Sequence, residues 1–307
     1  LSAVHGVYIS STNVSCVSPM YQIGTISVEV TTNGVDYSED MVQYRYYASP
    51  AISHIVPSSG PTEGGTVVSV YGRNFIDSDS LYCRFGNDST VAGRWVSSDR
   101  VECQTPSMVA SNVVVEVTNN GFDYTANRVE FTVLPESVVT SVDPTFGPIG
   151  TSTSVTVHGS GFVFSRSLYC RFGLLSVAAM FVNDTMVVCS APDAAQGSVD
   201  VRVSSNGVDY SKTSASYEYV DAHHVHDVLP RSGSTNGGTI VYVSGTGFKN
   251  TSNLYCRFGT LSAVHGVYIS STNVSCVSPM YQIGTISVEV TTNGVDYSED
   301  MVQYRYY

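Results

Sequence analysis

The sequence predicts an all-β chain of tandem β-sandwich domains arranged as a linear rod. Three observations carry this reading. Val, Tyr and Thr, which favour strands, are frequent, and no stretch repeats its apolar residues at the helical period. One hexapeptide, Leu-Tyr-Cys-Arg-Phe-Gly, occurs three times, at Leu81–Gly86, Leu168–Gly173 and Leu254–Gly259. Finally, Leu1–Tyr47 returns without a single change as Leu261–Tyr307, at an offset of 260.

The same elements surround each hexapeptide in the same order. Upstream lies Pro-x-x-Gly, as Pro57/Gly60, Pro144/Gly147 and Pro230/Gly233. An alternating apolar run follows, at Thr66–Val70, Ser154–Val157 and Thr239–Val243, with the period of a half-buried strand. A glycine turn then ends at Phe75, Phe162 and Phe248. Beyond the hexapeptide a second cysteine arrives, Cys103, Cys189 or Cys276. A strict alternation comes next, at Val113–Val117, Val199–Val203 and Ile286–Val290. Each closes on Asn-Gly-x-Asp-Tyr, at Asn120–Tyr124, Asn206–Tyr210 and Asn293–Tyr297. Asn-Gly tolerates positive φ and supplies the tight turn a hairpin needs. Short alternating strands separated by turn signals indicate a sandwich.

These motifs resemble the IPT/TIG domain, an immunoglobulin-like fold of the E-set type. The resemblance rests on Pro-x-x-Gly-x-x-x-Gly-Gly-Thr at Pro57–Thr66 and Pro230–Thr239, the glycine turn, the cysteine pair and the terminal Asn-Gly-x-Asp-Tyr. It covers essentially the whole chain. The middle copy departs from it, with Gly150-Thr-Ser-Thr153 where Gly-Gly-Thr is expected. Three domains follow, at 51–136, 137–222 and 223–307. Residues 1–47 read as the C-terminal half of a fourth, lacking its first strands. Short joints such as Ala48–Pro50 and Pro135–Ser137, two of them stiffened by Pro, suit a semi-rigid rod. The offset of 260 equals three domains, so the identity of the two ends is read as a periodic polymer meeting its own start.

Seven cysteines fit this register. Each domain carries one pair at one spacing, which is read as the disulfides Cys83–Cys103, Cys170–Cys189 and Cys256–Cys276. Free buried thiols are the alternative. Cys16 copies Cys276 and takes a partner outside this stretch. Disulfides imply an extracellular or cell-surface setting. Asn-x-Ser/Thr sequons at Asn13, Asn87, Asn183, Asn250 and Asn273 are candidate sites for covalent N-linked glycans.

Other chemistry is sparse. His223, His224 and His226 beside Asp227 form a weak metal candidate at one domain joint, with a solvated linker as the simpler reading. Asp77 and Asp79 read as a surface turn, and Trp95 as a core or edge residue rather than a glycan platform. The recurrent Asp of the hairpin motif (Asp36, Asp123, Asp209, Asp296) reads as a turn cap. No nucleophile elbow, phosphate loop or His-Glu-x-x-His motif is present, so neither an enzyme nor a cofactor is expected. A net charge of −12 argues against nucleic acid and anionic lipid. No apolar run approaches the ~18 residues of a membrane span.

The functional expectation is therefore a structural repeat segment of an extracellular or cell-surface filament that self-associates. The alternative is the ectodomain stalk of an adhesin or receptor that binds protein or glycan ligands. A polysaccharide-binding appendage of an enzyme is a third reading, and it requires coplanar exposed aromatics.

Overall fold

The computed structural model describes residues 3–87 and 89–307, and every regular element among them is a strand. Alternation explains why. In the strand Val67–Arg73, Val68 and Val70 are buried while Val67 faces solvent. The hexapeptide forms the strands Tyr82–Phe85, Tyr169–Phe172 and Tyr255–Phe258. Its Cys and Phe point inward and its Tyr and Arg outward. Its Gly then ends the strand at positive φ, 70° at Gly86, where only glycine is free of steric cost.

Each domain is two sheets face to face. In the first, one sheet joins Ala51–Val56, Val67–Arg73 and Arg100–Gln104. The other joins Tyr82–Phe85, Ser111–Thr118, Val129–Leu134 and Ser59–Pro61, the last pair running parallel. The long strand Ser89–Ser97 belongs to both. Its first residues pair with Tyr82–Phe85, and its last pair with Arg100–Gln104. The second domain repeats this order strand for strand. In the third, the switching strand is interrupted at Gly266 between Val264–His265 and Val267–Ser270.

The core lies between the sheets. Val68, Val70 and Val101 from one side meet Phe85, Val115 and Phe131 from the other. Disulfides Cys83–Cys103, Cys170–Cys189 and Cys256–Cys276 tie the two sheets through that core, each with Cα atoms 6.3 Å apart. The joints between domains are three residues long, 135–137 and 221–223.

The repeated 47 residues are described from Ala3 in the first copy and in full in the second. Both copies use one register: Tyr8 faces Val14 as Tyr268 faces Val274, and Gly24 faces Tyr46 as Gly284 faces Tyr306. Their environments differ. Val274 and Tyr304 are 0% exposed, packed among Val241, Val243 and Phe258, whereas Val14 is 46% and Tyr44 41% exposed. Cys16 is free and exposed, while its copy Cys276 is bridged to Cys256.

Candidate functional site

The sites that recur with the domains are the junctions between them. Each is built from the Asn-Gly-x-Asp hairpin of one domain and the Pro-x-x-Gly edge of the domain before it. In the hairpin Asn206–Tyr210, the Asn206 side-chain oxygen accepts the Val208 and Asp209 amides at 3.0 and 2.8 Å. The Gly207 amide donates to Ser204 Oγ, and Gly207 takes φ of 77°. Asn206 Nδ2 donates to Asp209 Oδ2 at 2.7 Å, which orients the carboxylate.

The same two side chains then cross to the first domain. Thr66 Oγ1 donates to Asp209 Oδ2 at 2.7 Å, and Asn206 Nδ2 donates to the Ser59 carbonyl at 2.8 Å. The second junction repeats this atom for atom. Thr153 Oγ1 donates to Asp296 Oδ2 at 2.8 Å, and Asn293 Nδ2 donates to the Phe146 carbonyl at 3.1 Å. Docking buries the asparagines, to 8% exposed at Asn206 and 4% at Asn293. The undocked Asn33 is exposed. Thr153 closes the departing Gly150–Thr153 stretch, so that departure leaves the junction donor in place.

Ion pairs flank each junction. Lys212 meets Glu63 at 2.7 Å, and Glu63 raises the lysine's pKa. Lys249 meets Glu218 at 3.0 Å and lies 4.5 Å from the centre of the Phe146 ring. These pairs are solvent-exposed and contribute little energy; the half-buried hydrogen bonds between the domains fix the geometry.

The sequence singled out Asp36, Asp123, Asp209 and Asp296 as turn caps. The cap is instead the asparagine, whose side-chain oxygen takes the turn amides; each Asp accepts from that asparagine's Nδ2, and Asp209 and Asp296 also accept a threonine hydroxyl from the neighbouring domain. The accepting edge went unread, although Thr66, Thr153 and Thr239 recur in step with those acids.

The three histidines do not converge. His223 is buried and its Nε2–H donates to the Val290 carbonyl at 2.8 Å; burial pushes its pKa down, so the ring is held neutral. His224 pairs with Asp300 at 3.0 Å, and His226 is exposed. Among the described residues no group of three or more His, Cys, Asp or Glu side chains is arranged to hold a metal. Trp95 is a half-exposed edge residue whose ring N–H donates to the Phe75 carbonyl. Asn13, Asn87 and Asn250 are exposed, whereas Asn183 and Asn273 are half-buried. Asp88, in the sequon of Asn87, lies outside the described residues.

This geometry defines a class: disulfide-bonded immunoglobulin-like sandwiches joined in series. The family model "IPT/TIG domain" matches residues 50–133, 137–219 and 224–306, so the chain belongs to the IPT/TIG family. It is similar to fibrocystin-L of Mus musculus, 26% identical over 241 residues, covering 76% of this chain and 5% of that protein. It is also similar to Plexin-2 of Caenorhabditis briggsae, 26% identical over 281 residues, covering 83% of this chain and 15% of that protein. The chain thus spans a small part of each relative. Among solved structures, the full extracellular region of plexin A4 aligns with a TM-score of 0.46 at 17% identity, over 84% of this chain and 24% of that one.

Proposed function

We propose that this chain is a structural repeat segment of an extracellular or cell-surface filament, extended by one junction used again and again. One observation carries the reading. The contact between domains one and two recurs with the same atoms between domains two and three. Its two halves also recur where no docking takes place. Asn120 and Asp123 bond within their own turn, and among the described residues no hairpin sits on the equivalent Ser232–Thr239 edge. A domain of the first type placed after the third would close the pattern at three domains. Contacts that repeat head to tail without closing generate filaments.

In this reading the chain is not an enzyme, and its partner is more of itself. Three buried disulfides suit an oxidising exterior. N-linked glycans at Asn13, Asn87, Asn183, Asn250 and Asn273 would coat the rod. The second reading, an adhesin or receptor stalk, is favoured by the similarity to Plexin-2. A stalk would use the same junctions but end in a tip of different sequence.

Electron microscopy of native material separates these. A filament with an axial repeat of three domains and peripheral glycan density is expected. A monodisperse particle of about the chain's own 32.9 kDa overturns the filament.

A further inference from the structure

The three domains supply an internal control for one pair of side chains. The hexapeptide arginine stacks on the hairpin tyrosine in every domain: Arg84 on Tyr124 at 3.9 Å, Arg171 on Tyr210 at 4.0 Å and Arg257 on Tyr297 at 4.0 Å. In the first domain Arg84 Nε donates to Glu116 directly across the sheet at 2.8 Å. In the third, Arg257 Nε donates to Glu289 at 2.9 Å. In the second, the residue opposite Arg171 is Arg202.

Two like charges face each other where the sister domains hold an ion pair, an arrangement that destabilises a sheet. Arg202 turns away, donating to the Ser211 and Lys212 carbonyls at 2.9 and 2.7 Å. Arg171 Nε is left buried with no partner among the described residues. Both arginines line a cavity of about 410 Å³ at the junction with the first domain. Three carboxylates also line it. Glu63 is taken by Lys212, and Asp209 is taken by Thr66 and Asn206. Glu136 remains, and Asp200, outside the cavity, reaches Arg202 at 3.3 Å from an exposed position.

We propose that this cavity is an oxyanion site. It takes a carboxylate or sulfate group in the place that Glu116 and Glu289 fill in the other two domains. The recognising group is the Arg171 guanidinium, already oriented by Tyr210, with Arg202 as the second cation. Guanidinium groups bind planar oxyanions through paired, charge-assisted N–H donors. The source of the group is either a free inorganic ion or an acidic saccharide, and both present the same chemistry. In the periodic reading the site occurs once in every three domains.

Calorimetric titration of the full chain tests this, with sodium sulfate in one arm and a galacturonate disaccharide in the other, at ionic strength matched with chloride. Arg202→Glu restores the ion pair of the sister domains, so the fold is retained and Arg171 is occupied. The wild-type chain is expected to bind at least one probe, and Arg202→Glu to bind it at least about tenfold more weakly, the loss of one charge-assisted bond. Response to sulfate alone identifies a free-ion site. Response to the disaccharide identifies a saccharide-borne group. Failure of both probes, or equal binding by both proteins, overturns the proposal.

Discussion

Thr66→Val removes one hydroxyl from the first junction and changes little else. Thr66 is 1% exposed, and its amide stays bonded to Thr105 Oγ1 at 3.1 Å. Asp209 keeps Asn206 Nδ2 at 2.7 Å but loses its partner in the first domain. Hydrogen bonds to a charged group contribute about 1.5–3 kcal/mol. At about 1.4 kcal/mol per tenfold, the ratio of docked to undocked junctions should fall by roughly 10- to 150-fold. Asn206 still reaches the Ser59 carbonyl, so the joint should loosen rather than part. Resonance energy transfer between dyes on the first and second domains reads this as a broadened distance distribution. Thr66→Ser, which keeps the hydroxyl, should restore the wild-type distribution. An unchanged distribution in a Thr66→Val protein whose domains remain folded would refute the reasoning, because the hydrogen bond would then not hold the joint.

Acid should weaken the third domain first. Burial raises the Asp300 pKa, but the Val225 amide at 2.7 Å and His224 outweigh it, and the net shift is downward. Stability from ionised Asp300 is therefore complete above the ordinary carboxylate pKa and is lost as pH falls through the folded value. Burial also lowers the pKa of His223, so its neutral form stabilises the domain and is lost in the same direction, starting below about pH 6.5. The first two domains use neutral Asn127 and Thr213 where the third uses Asp300. Domain-resolved hydrogen exchange should show the third losing protection first, and Asp300→Asn should flatten the low-pH part of its profile. Tyr304→Phe should be neutral or stabilising by about 1 kcal/mol, because its buried hydroxyl has no partner among the described residues. Phe131 already occupies that place in the first domain, and a loss beyond about 1 kcal/mol in denaturant unfolding would show the hydroxyl to be bonded. Replacing Cys170 and Cys189 by Ala opens a loop of sequence separation 19 and should cost the second domain about 3 kcal/mol, read as a lowered denaturation midpoint.

Most of the fold was legible because it is local. Alternation within Val113–Val117 fixes which residues face the core, and the Asn-Gly pair fixes the turn that follows. The hexapeptide was legible because recurrence put its cysteine in register with a second one. The junction was not, because Thr66 and Asp209 are 143 residues apart and neither is unusual alone. Both recur once per domain, but recurrence does not say which copy of one meets which copy of the other. The Arg202 substitution stood in the alternation Val199–Val203 without meaning. It acquires one only when pairing places it opposite Arg171.

The hairpin motif explains why one junction can be used repeatedly. Asn33 and Asn120, undocked, make the same internal bonds as Asn206 and Asn293, docked. In all four turns the asparagine oxygen accepts two following amides and its nitrogen holds the aspartate at 2.7–2.8 Å. The turn at Asn120 makes these bonds in a complete sandwich with no neighbouring domain on it among the described residues, so the turn does not need one. The docking surface is thus formed before it docks. Preorganisation reduces the conformational entropy lost on contact, so two short hydrogen bonds can hold a joint that three linker residues already keep close. A junction that required rearrangement would have to order its hairpin anew at every domain. This one adds bonds to a carboxylate already aimed, and the acid held by the turn's asparagine becomes the contact to the domain before it.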